Sequence, residues 1–202
     1  MSVTTGIDPR HTALVIIDLQ NDFLAPDGAY ARGGAVSAAA QALPPRVAAL
    51  AQALKAGGGM VVGSQFTLWP DAQGEPMVSP HLKVLRPFLR RGDFAPGSTG
   101  PTHVPEIAPW VDVSVCKVAY SAFFNTQLDW VLRRAGITTV AVCGIVTNGG
   151  VASKVRDAHM RYYQTLVLSD GCAAFRQEVH DTSLADMANV AQVLTPPTSR
   201  PP

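Results

Sequence analysis

The stretch TALVIIDL, residues 12–19, decides how this chain is read. It is apolar and β-branched almost throughout. That is too continuous for a strand with one wet face, and it fits a parallel strand buried on both faces. Working outward, residues 60–66 (MVVGSQF), 113–117 (VSVCK), 138–144 (TTVAVCG), 166–169 (LVLS) and 192–194 (QVL) read as further strands. Helical patterns stand between them. Residues 34–57 predict a helix broken at Pro44-Pro45, with RVAALAQALKA stopping at glycines. Further helices are expected over 126–135, 149–163 and 179–189, the second with Val151, Val155, Ala158 and Tyr162 on one face. Strand alternating with helix predicts a parallel sheet between helix layers in one domain.

Residues 67–111 break the alternation. They are rich in proline and glycine (WPDAQGEPMVSP, FAPGSTGP), with one short helix expected at 81–91. A connection this long is uncommon in a compact domain, so it reads as a lid, an oligomer arm or a structural excursion. The last residues, 196–202, read as a frayed tail.

The composition excludes several classes. The chain has 202 residues, 47% hydrophobic, with 16 basic and 15 acidic side chains. Its 15% charge is low beside the roughly 25% of ordinary domains. A mean hydropathy of +0.14 excludes a disordered chain. Low charge fits a sheet covered on both faces, or surface buried between subunits. A net charge of +1 provides no field for nucleic acid. No apolar run approaches the ~20 residues of a membrane span. The first residues show no basic segment followed by an apolar leader, and the reading is cytoplasmic. Cys116, Cys143 and Cys172 form no metal or disulfide spacing, and each follows or lies in an apolar run, as buried thiols do. The five histidines are scattered, so no metal or other cofactor is expected.

In an open parallel sheet, ligands bind beyond the carboxyl ends of the strands. Three polar groups fall there. Asp18 ends the first strand, and reads either as a proton-transfer group or as a cap for the next turn. Lys117 ends VSVCK. It reads as a surface charge unless it faces Asp18 across neighbouring strands, where burial and the ammonium would act on the carboxyl in opposite directions. Val146, Thr147, Asn148 and Gly149 form a strand-to-helix turn with Gly150. The glycines admit a ligand close to backbone N–H groups, or serve only a tight turn. Gln65 and Phe66 end the second strand, and Tyr120 and Phe124 follow Lys117. These are substrate-wall candidates, with core packing as the plain alternative for the aromatics. Arg86, Arg90 and Arg91 read as solvated helix charges rather than as carboxylate binders.

Three motifs in this order, ALVIIDLQNDF, KVAYSAFFNTQLDWVLRRAGI and VCGIVTNGGVASKVRDAHMRYYQTLVLSDGCAAF, resemble the isochorismatase-like hydrolases. The resemblance covers residues 10–195. It implies a three-layer α/β/α sandwich around a six-stranded parallel sheet, a homo-oligomer (dimer or tetramer), and a small-molecule substrate. In most of that family an Asp, a Lys and a Cys act together on an amide or related carbonyl. The resemblance puts Asp18 and Lys117 in the first two roles. It also implies a cis peptide before the nucleophile turn, here expected at Val146–Thr147.

The cysteine position falls on Gly150, so the usual nucleophile is absent. Cys143 lies within a strand and Cys172 at the end of another, and neither can substitute without large rearrangement. SQFTLWPDAQ carries no histidine, which disfavours the metal-binding nicotinamidase branch. A glycine at this position resembles the vinyl-ether-cleaving isochorismatases, in which an Asp protonates the enol-ether carbon and water captures the cation. TNGGV and IIDLQNDF resemble the amide-hydrolysing majority instead. Gly150 therefore marks non-covalent hydrolysis, a lost activity with a retained binding pocket, or an introduced substitution.

Overall fold

The computed structural model describes residues 6–195. The tail expected to fray, 196–202, lies outside them. Six parallel strands form one sheet: β1 (Thr12–Ile17), β2 (Met60–Phe66), β3 (Val113–Lys117), β4 (Thr139–Ile145), β5 (Gln164–Ala173) and β6 (Gln192–Leu194). Their spatial order is β3-β2-β1-β4-β5-β6. Every residue of β1 and of β4 is buried, which requires cover on both faces and explains their unbroken apolar runs. The order reverses between β1 and β4, where open α/β sheets place their ligands.

The helices follow the expected alternation, with corrected bounds. Short helices α1 (Asn21–Leu24), α2 (Ala29–Arg32) and α3 (Ala38–Gln41) precede α4 (Leu43–Ala56). Pro44 and Pro45 do not break a helix; they stand in the first turn of α4, where a missing N–H costs nothing. Helix α5 spans only Pro80–Leu85, with Ser79 accepting from the Leu82 N–H at 3.2 Å, and α6 spans Leu128–Arg134. A π-helical turn, Thr147–Val151, leads into α7 (Ala152–Met160). Tyr162 is not on the buried face of α7. The helix ends before it, Tyr162 turns outward with φ +64°, and Tyr163 takes the interior place. Helix α8 (Gln177–Met187) precedes the edge strand β6. Cys116 is exposed rather than buried, because β3 is the other edge strand and its alternate residues face outward. Among the described residues, no helix is long and apolar enough to cross a membrane.

The excursion after β2 is tied back to the end of β1. Gln20 is fully buried; its side chain accepts from Phe66 N–H at 2.8 Å and donates to Phe66 O at 2.9 Å and Pro101 O at 2.8 Å. The Asp22 carboxylate accepts from the backbone N–H groups of Ala29 (3.2 Å) and Phe94 (2.6 Å). A small aromatic cluster of Tyr30, Phe94, Phe23 and Phe66 forms beside this anchor. Within the motif DLQNDF, only Asp18 is left for chemistry.

Candidate active site

The β1 strand stops at Ile17, and Asp18 adopts a left-handed backbone with φ +54°. Aspartate tolerates that region better than most residues. The turn aims its buried carboxylate along the sheet edge. Oδ1 accepts from Ser64 Oγ at 2.7 Å, and Oδ2 pairs with Lys117 Nζ at 2.8 Å. The two partners do not sit on neighbouring strands. Strand β2 lies between β1 and β3, and the long lysine stem crosses it with Nζ 5.1 Å from the Phe66 ring centre. Lys117 also donates to Ala119 O at 3.1 Å. Asp18 therefore serves as no helix cap; its oxygens are taken by a hydroxyl and an ammonium.

The third element is the turn after β4. The cis peptide lies at Ile145–Val146, one residue before the expected bond. The strand ends at Ile145 and Thr147 already belongs to the π-helical turn, so the junction between them is one residue earlier. A Cβ built on Gly150 would lie 3.4 Å from Asp18 Oδ2, 3.3 Å from Ile145 O and 3.0 Å from the Ile17 side chain. The position to which the sequence resemblance assigns a thiol thus faces the carboxylate directly, and here it carries no side chain.

These groups border a cavity of about 640 Å³. Asp18, Phe66, Lys117, Tyr120, Val146, Asn148, Gly149 and Gly150 line it. Three candidates from the sequence do not. Gln65 points to the opposite face of β2 from Ser64 and Phe66, as strand alternation dictates, and faces Cys116. Phe124 is turned to solvent because Phe123 takes the interior position. Thr147 is wholly buried and pairs with His180 Nδ1 at 2.8 Å, tying the turn to α8. The Tyr120 ring packs over Gly149, where an added Cβ would approach it to 3.2 Å. Of the three arginines read as solvated, Arg86 instead lines the cavity.

Sequence reasoning missed Lys154. It lies four residues after Gly150, on the same face of the helix, between the buried Val151 and Val155. It is fully buried, donates to Tyr120 O at 3.2 Å, and has no carboxylate within ion-pair distance among the described residues. Burial, reinforced by the Lys117 ammonium beside it, pushes Lys154 well below the ordinary lysine range. A lysine inside an apolar helical face was the available signal.

The remaining thiols are no substitute for a nucleophile. Cys143 is fully buried, and burial pushes its thiol well above the ordinary range. Burial likewise pushes Cys172 up to about 12. A thiol that does not ionise is inert. Among the described residues, no three His, Cys, Asp or Glu side chains converge as metal ligands do, so the residues present do not fit the nicotinamidase metal.

Comparison with known proteins shows the family and the fold. The isochorismatase domain family matches residues 12–197. A ureidoacrylate amidohydrolase RutB of Methylobacterium radiotolerans is 32% identical over 193 residues, covering 90% of this chain and 75% of that protein. The uncharacterized isochorismatase family protein YwoC of Bacillus subtilis is 33% identical over 193 residues, covering 91% and 89%. Among solved structures, a cysteine hydrolase from Pseudomonas syringae superposes with a TM-score of 0.77 at 28% identity, covering 94% of this chain and 90% of that one. The nicotinamidase PncA of Bacillus subtilis gives 0.70 at 25%, covering 92% and 99%.

Proposed function

The chain belongs to the isochorismatase family of hydrolases, and from that membership we propose that it hydrolyses a small molecule by direct attack of water. Asp18 is the proton-transfer group and Lys117 its counter-charge. One observation carries this reading: the position facing Asp18 Oδ2 is Gly150, which leaves room for water or substrate and offers no nucleophile. On a vinyl ether, the proton held by the Asp18–Lys117 pair passes from the Lys117 ammonium through the Asp18 carboxyl to the terminal carbon. Water adds to the resulting oxocarbenium carbon and returns a proton to the carboxylate. The hemiketal then opens to a ketone and an alcohol. General acid–base catalysis of this kind contributes about 10²–10⁴-fold, and positioning in the cavity contributes the rest.

A second reading, hydrolysis of a C–N bond, is favoured by the relatives named as ureidoacrylate amidohydrolases. A panel of enol ethers against small amides and ureides separates the two. Turnover of an enol ether with no covalent adduct in intact-mass spectra supports the first. Turnover of an amide alone selects the second. A thioester trapped on any cysteine defeats direct attack by water, and ligand binding without turnover leaves a binding protein. We further propose that the chain self-associates. Trp69, Met77, Val84, Leu85 and Val118 are apolar and exposed, and Met77, Leu85 and Val118 also line the cavity.

A further inference from the structure

Resting on the hydrolase reading above, we propose that the substrate carries a carboxylate, and that Arg86 and Tyr30 together receive it at the aromatic wall of the cavity. Both residues line the same cavity as Asp18 and Lys117. Arg86 follows α5 directly, and its guanidinium is held against two rings. Its carbon lies 5.6 Å from the Tyr30 centroid and 5.2 Å from that of Phe175, and these rings stack 6.0 Å apart at 11°. Nε donates to Tyr30 Oη at 3.2 Å and Nη1 to Leu85 O at 2.9 Å. Nη2 has no protein partner among the described residues. The tyrosine is fixed in turn by Phe23 (4.6 Å) and Phe88 (5.2 Å). This is a rigid donor fork rather than a waving surface charge.

The charge balance makes the fork a receptor. Asp18 is the one carboxylate lining the cavity, and it is already paired with Lys117. Arg32, Arg133 and Arg161 have carboxylate partners, and of the described arginines without one Arg86 alone lines the cavity. Arg86 has none among the described residues, although it borders a cavity whose enclosure strengthens its field. Burial raises the Tyr30 hydroxyl above the ordinary tyrosine range, so it keeps its proton while accepting from Arg86. A planar carboxylate matches this pair, one oxygen on the guanidinium and one on the hydroxyl. The reacting group of the same molecule then reaches Asp18 and Gly150. Arg86 and Tyr30 thus set which small molecules enter in register, and they do so without touching the reacting atoms.

Succinamate and succinamide test this directly, since they differ only in the charge of one end. Calorimetric titration of the whole chain should show succinamate binding more tightly. Arg86→Met should weaken succinamate about tenfold to a hundredfold and change succinamide by less than about twofold. Arg86→Lys should restore part of the loss, and Tyr30→Phe, which keeps the ring stack, should weaken succinamate alone. Equal affinity for the two ligands, no binding of either, or succinamate affinity unchanged in Arg86→Met overturns the proposal. The assay needs no turnover: a chain that binds succinamate through Arg86 yet hydrolyses nothing fails the hydrolase reading while keeping this one.

Discussion

At the scale of single residues, Asp18 and Lys154 make opposite demands on the fold. Asp18 is a buried ion, matched by one ammonium and one hydroxyl. Asp18→Asn keeps its volume and its tolerance of a left-handed backbone, and the amide oxygen still accepts from Lys117. The expected result is a loss of about 10²–10⁴-fold in kcat with about 1–3 kcal/mol of stability, read by steady-state kinetics and urea unfolding. Lys154 is a buried amine without a carboxylate partner at ion-pair distance among the described residues. Lys117, Asp18 and Asp157 are the charged groups that face it. Its folded value lies below the unfolded one, so between them the unfolded chain binds more protons and stability rises with pH. The penalty is full below the folded value and fades as pH climbs towards the ordinary lysine range. Lys154→Met should therefore flatten the rise of unfolding free energy with alkaline pH, at a cost of about 1 kcal/mol for the bond to Tyr120 O. An unchanged slope in denaturation series across that range would show that Lys154 is charged in the folded protein.

At the scale of elements, the site is made by two glycines with different duties. Gly144 has φ +112°, and a Cβ there would stand 2.2 Å from Ile17 O, so β1 and β4 approach backbone to backbone. Gly144→Ala should cost about 3 kcal/mol or more, seen as a lowered urea midpoint. A Cβ on Gly150 would stand 3.0 Å from the buried Ile17 side chain and 3.3 Å from Ile145 O, both tight contacts that a shift of a few tenths of an ångström relieves. Gly150→Cys should fold at a cost of about 1–3 kcal/mol, and it should block an activity that needs the open space. New amidase activity in that variant would instead mark a lapsed thiol enzyme. The sequence revealed these elements unevenly. The runs in β1 and β4 are legible because burial on both faces leaves no polar residue to confuse the period. Gln65 and Ser64 were not separable, since both are polar and one register step decides which faces Asp18. Phe123 and Phe124 posed the same problem in a loop without a period. Lys154 was hidden because lysine on a helix ordinarily faces water.

At the scale of the whole molecule, the excursion after β2 gives the cavity much of its wall, through Leu68, Val78, Leu82 and Arg86. Sequence reading marked it as unusual but could not place it, because its anchors, Gln20 and Asp22, lie more than 40 residues away. Its outward apolar residues predict association. Sedimentation velocity should show a species larger than the 21.3 kDa chain, and Val84→Glu, at a position 77% exposed, should shift it towards the monomer. A wild-type chain that sediments as a monomer at all concentrations refutes the association. The distribution of sulfur has its own consequence. Two thiols are sealed in the interior and held un-ionised, the third is exposed in edge strand β3 facing Gln65, and the reacting centre carries none. Peroxide and alkylating reagents poison enzymes through an accessible thiolate. Under the proposed direct attack by water, the pocket at Asp18 offers them nothing to attack, so turnover there should persist through peroxide and alkylation treatment that would silence a thiolate-dependent hydrolase.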